Sequence, residues 1–213
     1  MTRKAKAFAV GLTAVLATCV AAQAVQAAEF HKPAEPITIT MRPDGTGKTA
    51  HQVFDFAGAS LTCGGAVGEA TVEGAATTFS EFQSSLLVEV ATCSFLGQKA
   101  EVKLSANCGW VFHSNGTADI KCGGGEELTI SVPTPFCHIT VPGQSGNGSV
   151  SFSNIGAPTE MTMQATVTGT KYTATGAGCP IAGTFSNGIW TTGNVIFKGE
   201  KKGTAEQVSL SFG

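Results

Sequence analysis

The chain has 213 residues, enough for one domain or two small ones, since domains typically run about 100–200 residues. Charged residues make up only 13% of it and hydrophobic residues 42%, with 27 glycines; that mixture excludes a disordered polyelectrolyte. The 13 Lys and Arg face 15 Asp and Glu with no basic block, so the electrostatic footprint of a nucleic-acid binder is missing.

Arg3, Lys4 and Lys6 precede an apolar run from Ala7 to Val20, and small residues follow at Ala22-Gln23-Ala24 and Val25-Gln26-Ala27. This is the three-part layout of a secretory signal peptide, predicted over residues 1–27. The apolar run falls short of the about 20 residues that a membrane span requires. No later stretch approaches that length, so no transmembrane segment is expected after cleavage. Losing Arg3, Lys4 and Lys6 leaves 10 basic residues against 15 acidic ones, a formal charge of −5, which disfavours nucleic acid and anionic lipid as partners. Leu16-Ala17-Thr18-Cys19 approaches a bacterial lipobox, but Thr18 stands where Gly, Ala or Ser is wanted. Cleavage near Ala27 is therefore preferred to a lipid anchor at Cys19. The expected location is secreted or cell-surface.

Of the seven cysteines, Cys19 leaves with the leader. Cys63, Cys93, Cys108, Cys122, Cys137 and Cys179 remain, an even number in an exported chain, and oxidising compartments favour their pairing into three disulfides. Sequence leaves 15 connectivities open. Pairing of neighbours in order, 63–93, 108–122 and 137–179, is preferred because hairpins and adjacent strands bring such pairs together. No C-x-x-C or H-x-H spacing supports zinc instead, and no cofactor is expected.

Alternation with period two marks the strands in chain order. It appears at Ile37, Ile39 and Met41, at Val102, Leu104, Ala106 and Cys108, and at Leu128, Ile130 and Val132. It returns at Met161, Met163, Ala165 and Val167, and at Val208, Leu210 and Phe212. Half-buried antiparallel strands produce this pattern. Asp44-Gly45, Asn115-Gly116, Asn147-Gly148 and Asn187-Gly188 supply turn dipeptides. Thr78-Phe79-Ser80-Glu81 fits a capping box, and Phe79 and Phe82 lie three apart, which predicts the one short helical segment. The fold class is all-β: an antiparallel β-sandwich of about a dozen strands, or two tandem sandwich-like halves. Pro133-Thr134-Pro135 is the best internal break. It gives halves of 28–132, with four cysteines, and 133–213, with two.

Candidate chemistry is sparse, and no catalytic residue is assigned. Cys137 and His138 are neighbours on a strand and point to opposite faces, while His51 and Asp55 lie about 13 Å apart along another. His113 and Asp119 flank the Asn115-Gly116 hairpin and can approach diagonally, but no G-x-S-x-G nucleophile motif accompanies them. Glu69 with Glu73, and Glu126 with Glu127, are paired carboxylates by proximity only. The glycine-rich stretch Pro142–Gly148 precedes a strand rather than a helix, so it lacks a phosphate cradle. The T-x-T pairs Thr38/Thr40, Thr166/Thr168 and Thr173/Thr175 put hydroxyls on one face without a regular repeat. Trp110 beside Cys108 reads as core. Trp190, just past Asn187-Gly188, reads as the more exposed indole, so Trp190 and Tyr172 are the candidate glycan-binding aromatics.

The run Cys137-His138-Ile139-Thr140-Val141-Pro142-Gly143-Gln144, and Lys171-Tyr172-Thr173-Ala174-Thr175-Gly176 followed by Cys179, resemble secreted six-cysteine β-rich proteins of soil actinobacteria. The resemblance implies export and a β fold and carries over no activity. The expected function is a non-enzymatic secreted or cell-envelope module with a structural or binding role, its partner a cell-wall or extracellular glycan or a protein. The alternatives are a secreted hydrolase with carboxylates converging in space, and a surface-fibre subunit adding strands through Ile37–Met41 and Val208–Phe212.

Overall fold

The structure, a computed structural model, describes residues 27–44, 52–88, 93–103, 105, 107–133, 136–156 and 159–213. Residues 1–26 of the predicted signal peptide, with Cys19, and also Gly45, His51, Leu104 and Ala106, lie outside the described residues. Every regular element among the described residues is a β-strand, as the alternation predicts. In chain order these are β1 (Phe30–His31), β2 (Ile37–Pro43), β3 (Gln52–Phe56), β4 (Ala59–Cys63), β5 (Ala66–Val72) and β6 (Thr78–Phe79). Next come β7 (Glu81–Val88), β8 (Ser94–Phe95), β9 (Gln98–Lys99), β10 (Glu101–Lys103), β11 (Cys108–His113) and β12 (Ala118–Cys122). The last six are β13 (Glu127–Val132), β14 (Cys137–Pro142), β15 (Asn147–Asn154), β16 (Glu160–Thr175), β17 (Gly183–Lys201) and β18 (Ser211–Phe212).

The long hairpin β16–β17 is the spine, and both of its strands change partners along their length. The 161–168 stretch of β16 pairs with β15, and Thr173–Thr175 pairs with β14. On the other side, Ile189–Thr192 of β17 pairs with β3 and Val195–Lys201 with β2. Register shifts between Met163 and Tyr172 bend the hairpin where the partners change, as extra residues in a ladder do. One branch continues β2-β5-β7-β11-β12, and its end meets the segment leading to β15 through an Ile120–Gln144 bridge and a Val150 N–H donating to Gly116 O at 2.8 Å. The other runs β3-β4-β8-β9 on one side and β14-β13-β10 on the other.

The branches interleave in sequence. On either side of the predicted Pro133-Thr134-Pro135 break, Val132 pairs with Cys137 and Glu127 with Pro142; Thr134 and Pro135 lie outside the described residues. Buried residues from both sides of it join one hydrophobic cluster. A second, three-stranded sheet, β18-β1-β6, ties the two ends of the described chain together: Glu29 N–H donates to Gly213 O at 3.0 Å and Gly213 N–H to Glu29 O at 3.1 Å. β2 is paired on both edges, so Ile37–Met41 is occupied within the chain, whereas β18 pairs with β1 on one edge and ends its sheet.

All three bridges form with neighbours in order, Cys63–Cys93, Cys108–Cys122 and Cys137–Cys179. Cys108 and Cys122 are directly opposed in the β11–β12 ladder. The expected helix near Thr78 is a correction: Thr78–Phe79 is β6 and Glu81 opens β7. Phe79 and Phe82 do converge, edge to face at 6.3 Å, and Phe30, which pairs with Phe79 across the small sheet, lies 5.2 Å from each ring. Tertiary packing, not a helix face, produces their spacing. Asn115-Gly116 makes its hairpin, with Gly116 at φ +84°. Asn187-Gly188 instead lies inside β17, and Asn147-Gly148 opens β15. The tight β3–β4 and β8–β9 turns use Ala57-Gly58 and Leu96-Gly97, each with both residues at positive φ, the mirror-image geometry that matches strand twist.

Candidate functional site

Trp190 and Tyr172, proposed from sequence as binding aromatics, are both 1% exposed. Trp190 lies on β17 and stacks on Trp110 of β11 at 4.0 Å between ring centroids. β11 and β17 are not hydrogen-bonded neighbours, so the two indoles meet face to face between layers. The Trp190 Nε1–H donates to Gln52 Oε1 at 2.6 Å, and Gln52 Nε2 donates to Thr192 Oγ1 at 2.5 Å. Gln52 is itself fully buried, so this short chain satisfies the polar edge that an indole carries into a core. Tyr172 packs between Phe56 and Phe185 at 4.8 and 5.2 Å, with its hydroxyl 3.4 Å from Asn187 Oδ1. Burial first, and the charge of Asp55 second, raise its pKa above the ordinary 10.0. Neither side chain offers a ring face to a ligand, and the expected platform is corrected: both rings are interior.

The diagonal approach of His113 and Asp119 is present. His113 Nε2 lies 3.0 Å from Asp119 Oδ2, and Nδ1 lies 3.1 Å from Glu81 Oε2. The register explains both contacts, since Glu81 is opposite His113 in the β7–β11 ladder and Asp119 lies across the β11–β12 hairpin. Asp119 Oδ1 also accepts the Gly146 N–H at 2.9 Å. A line of ion-pair and hydrogen-bond contacts thus runs from β7 through β11 and β12 to the loop before β15, over the place where this branch closes. Gly146 is required there, because a Cβ would overlap the Ala118 carbonyl. Both ring nitrogens lie against carboxylates, whereas the imidazole of a catalytic dyad lies against a nucleophile. The carboxylates also sit on opposite sides of the ring, so one metal ion could not collect all three groups. Among the described residues no cluster of His, Cys, Asp and Glu is placed to hold a metal.

The remaining acids disperse. Glu73 pairs with Lys202, and Glu126 accepts from the Asn107 side chain and backbone. Glu69 and Glu73 are both exposed. Cys137 is buried and His138 exposed, as adjacent strand positions should be.

The sequence reading overlooked Phe136. It is the most exposed large hydrophobic side chain among the described residues, at 75%, and its backbone has φ +53°. It immediately precedes Cys137 of β14 and overhangs an open depression of about 290 Å³ lined by Ser131, Pro133, His138, Thr175 and Gly176 among others. Ser131 and His138 are opposed on β13 and β14, and the Ser131 hydroxyl lies 3.1 Å from His138 Nδ1. Gly176 packs so closely that a Cβ would overlap the Phe136 carbonyl oxygen. No sequence pattern marks this ring, because it departs from the alternation instead of following it.

Comparison with protein-family models, with curated proteins and with solved structures gives no match. Among the described residues no helix is long and apolar enough to cross a membrane. The three disulfides are consistent with an extracytoplasmic protein.

Proposed function

We propose that the chain is an exported module of the cell surface or surrounding medium that acts by binding or by structure, without catalysing a reaction. The observation that carries this reading is the complete pairing of Cys63, Cys93, Cys108, Cys122, Cys137 and Cys179, a device of chains that work under oxidising conditions. The leader-like segment before Ala28 supports the same address. The use of His113, Asp119 and Glu81 as a brace between strands supports a role without turnover.

The test is to express the full chain in a secreting bacterial host, separate medium, wall and cytoplasm, and measure intact mass and retention on the envelope fraction. The expected product begins at Ala28, lacks six hydrogens relative to the reduced chain, and is retained by envelope material. Free thiols in that product would overturn the reading. So would hydrolysis of polysaccharide, peptide or ester substrates that a His113→Gln variant loses.

A further inference from the structure

We propose that the depression beside Phe136 binds an uncharged polysaccharide, with one sugar ring stacked on Phe136 and sugar hydroxyls meeting Ser131, His138 and Thr175. The inference rests on the binding-module reading above and names the ligand class and its site.

Four observations point there. The first is the backbone. Val132 and Cys137 pair directly, and Phe136 closes the connection between them at φ +53°. That conformation suits glycine or asparagine and is an outlier for a bulky side chain. Strain of this kind concentrates at ligand sites. The other two non-glycine residues at positive φ, Ala57 and Leu96, are explained by two-residue hairpin turns.

The second is preorganisation. The neighbouring Cys137 is bridged to Cys179, and Gly176 abuts the Phe136 carbonyl. The residue after Phe136 is therefore tied by a disulfide and the Phe136 carbonyl is closely packed, restraints that lower the ordering cost of binding.

Third, the surroundings are mostly apolar and uncharged, with the polar groups of Ser131, His138 and Thr175 among them. No Asp, Glu, Lys or Arg lines the depression. Across the sheet, Glu101 is opposite Ser131 and pairs with Lys103 of the same strand at 3.3 Å. An aromatic face ringed by hydroxyl and imidazole groups complements a pyranose, whose C–H face is apolar and whose rim is hydroxylated.

Fourth, the polar surface continues. Ser131 is opposite His138, and His138 is opposite Thr175. The adjoining row places Thr129, Thr140, Thr173 and Thr184 side by side across β13, β14, β16 and β17. Adjacent strands lie about 4.8 Å apart, an interval close to the length of one hexose in an extended chain, so further sugar units would find hydroxyl partners along these rows.

Other occupants fit less well. A second copy of the chain would need an interface of roughly 1,000 Å² or more, and one exposed ring over a shallow depression does not supply it. A phosphate or sulfate would find no cationic side chain. A lipid surface would require a broader apolar face.

The experiment measures retention of the secreted, oxidised protein on insoluble cellulose, chitin, xylan and β-1,3-glucan, with heparin beads as a charged comparison and matching soluble oligosaccharides as competitors. The wild type is expected to bind at least one neutral polysaccharide and to be released by its oligosaccharide. Phe136→Gly should weaken that binding roughly tenfold or more, as loss of an aromatic anchor does, with an unchanged or higher melting temperature. Phe136→Trp should keep it, an outcome that a purely structural role would not produce. Equal binding by wild type and Phe136→Gly would overturn the assignment. Capture by heparin or by envelope proteins, with none by neutral polysaccharide, would also overturn it while leaving the binding-module reading intact. Failure to be retained by any envelope fraction would remove that broader reading as well.

Discussion

Trp190 and Phe136 occupy opposite extremes of the same aromatic inventory. Trp190 is 1% exposed, stacked on Trp110, and has its one polar atom satisfied by Gln52. Phe136 is 75% exposed, makes no ring-stacking contact with another aromatic among the described residues, and holds a backbone conformation that favours glycine. Every feature around the indole lowers the energy of the folded state. The features around the phenyl ring leave its apolar area in water and strain its backbone. Stability accounts for the first position and not for the second, and the contrast separates residues that hold the scaffold from one that uses it.

That contrast can be broken by mutation. The largest effect is expected for Trp190→Ala, which removes a stacked indole and leaves Gln52 unpaired in the core. Unfolding in urea should show a loss of about 3–5 kcal/mol. Removing the Cys137–Cys179 bridge by Cys137→Ser with Cys179→Ser should cost about 2–4 kcal/mol in the same measurement. It should also release Phe136, so any ligand affinity should fall further than stability alone predicts.

His113→Gln comes next. It cuts the line joining Glu81, Asp119 and the Gly146 loop, and because the cluster is partly solvated the loss should be about 1 kcal/mol. Hydrogen exchange at the Gly146 amide should accelerate.

A smaller effect appears only at alkaline pH. The pKa of Tyr172 is raised in the folded state, so above the ordinary tyrosine value the unfolded chain releases its proton while the folded chain retains it. The unfolded state then binds fewer protons, and stability, fully present below pH about 10, should fall as pH rises through the folded-state value. Denaturant midpoints between pH 9 and 11 should decline more steeply for the wild type than for Tyr172→Phe. Smallest of all is Phe136→Gly, where relief of positive-φ strain opposes the greater chain entropy of glycine, and stability should change by less than about 1 kcal/mol. A large loss there would erase the distinction between the two rings.

The strands and their staples were legible because they rest on local or near-local signals. Period-two alternation at Leu128, Ile130 and Val132 and at Met161–Val167 matches β13 and β16, and the disulfides join successive cysteines. Hairpin order was partly legible: Asn115-Gly116 closes β11–β12, but Ala57-Gly58 and Leu96-Gly97 close turns that no strong dipeptide announces. Long-range information was not legible. The spacing of Phe79 and Phe82 suggests a helix only until Phe30 is seen to pack against both rings. Trp190 follows a turn-like dipeptide and reads as exposed, yet β17 continues through Asn187-Gly188 and carries the indole into the interior. The branching of β16 and β17 depends on partners scattered between residues 37 and 154, which no local window contains. The one recognisable polar pair, His113 with Asp119, was visible because a hairpin joins them. Its third member, Glu81, comes from a separate strand and was not.

The pairing of β1 with β18 brings Glu29 and Gly213 within hydrogen-bonding distance of each other. A short peptide joining these ends, with new termini opened in the exposed turn at Gly203, should give a circularly permuted protein with the same disulfides.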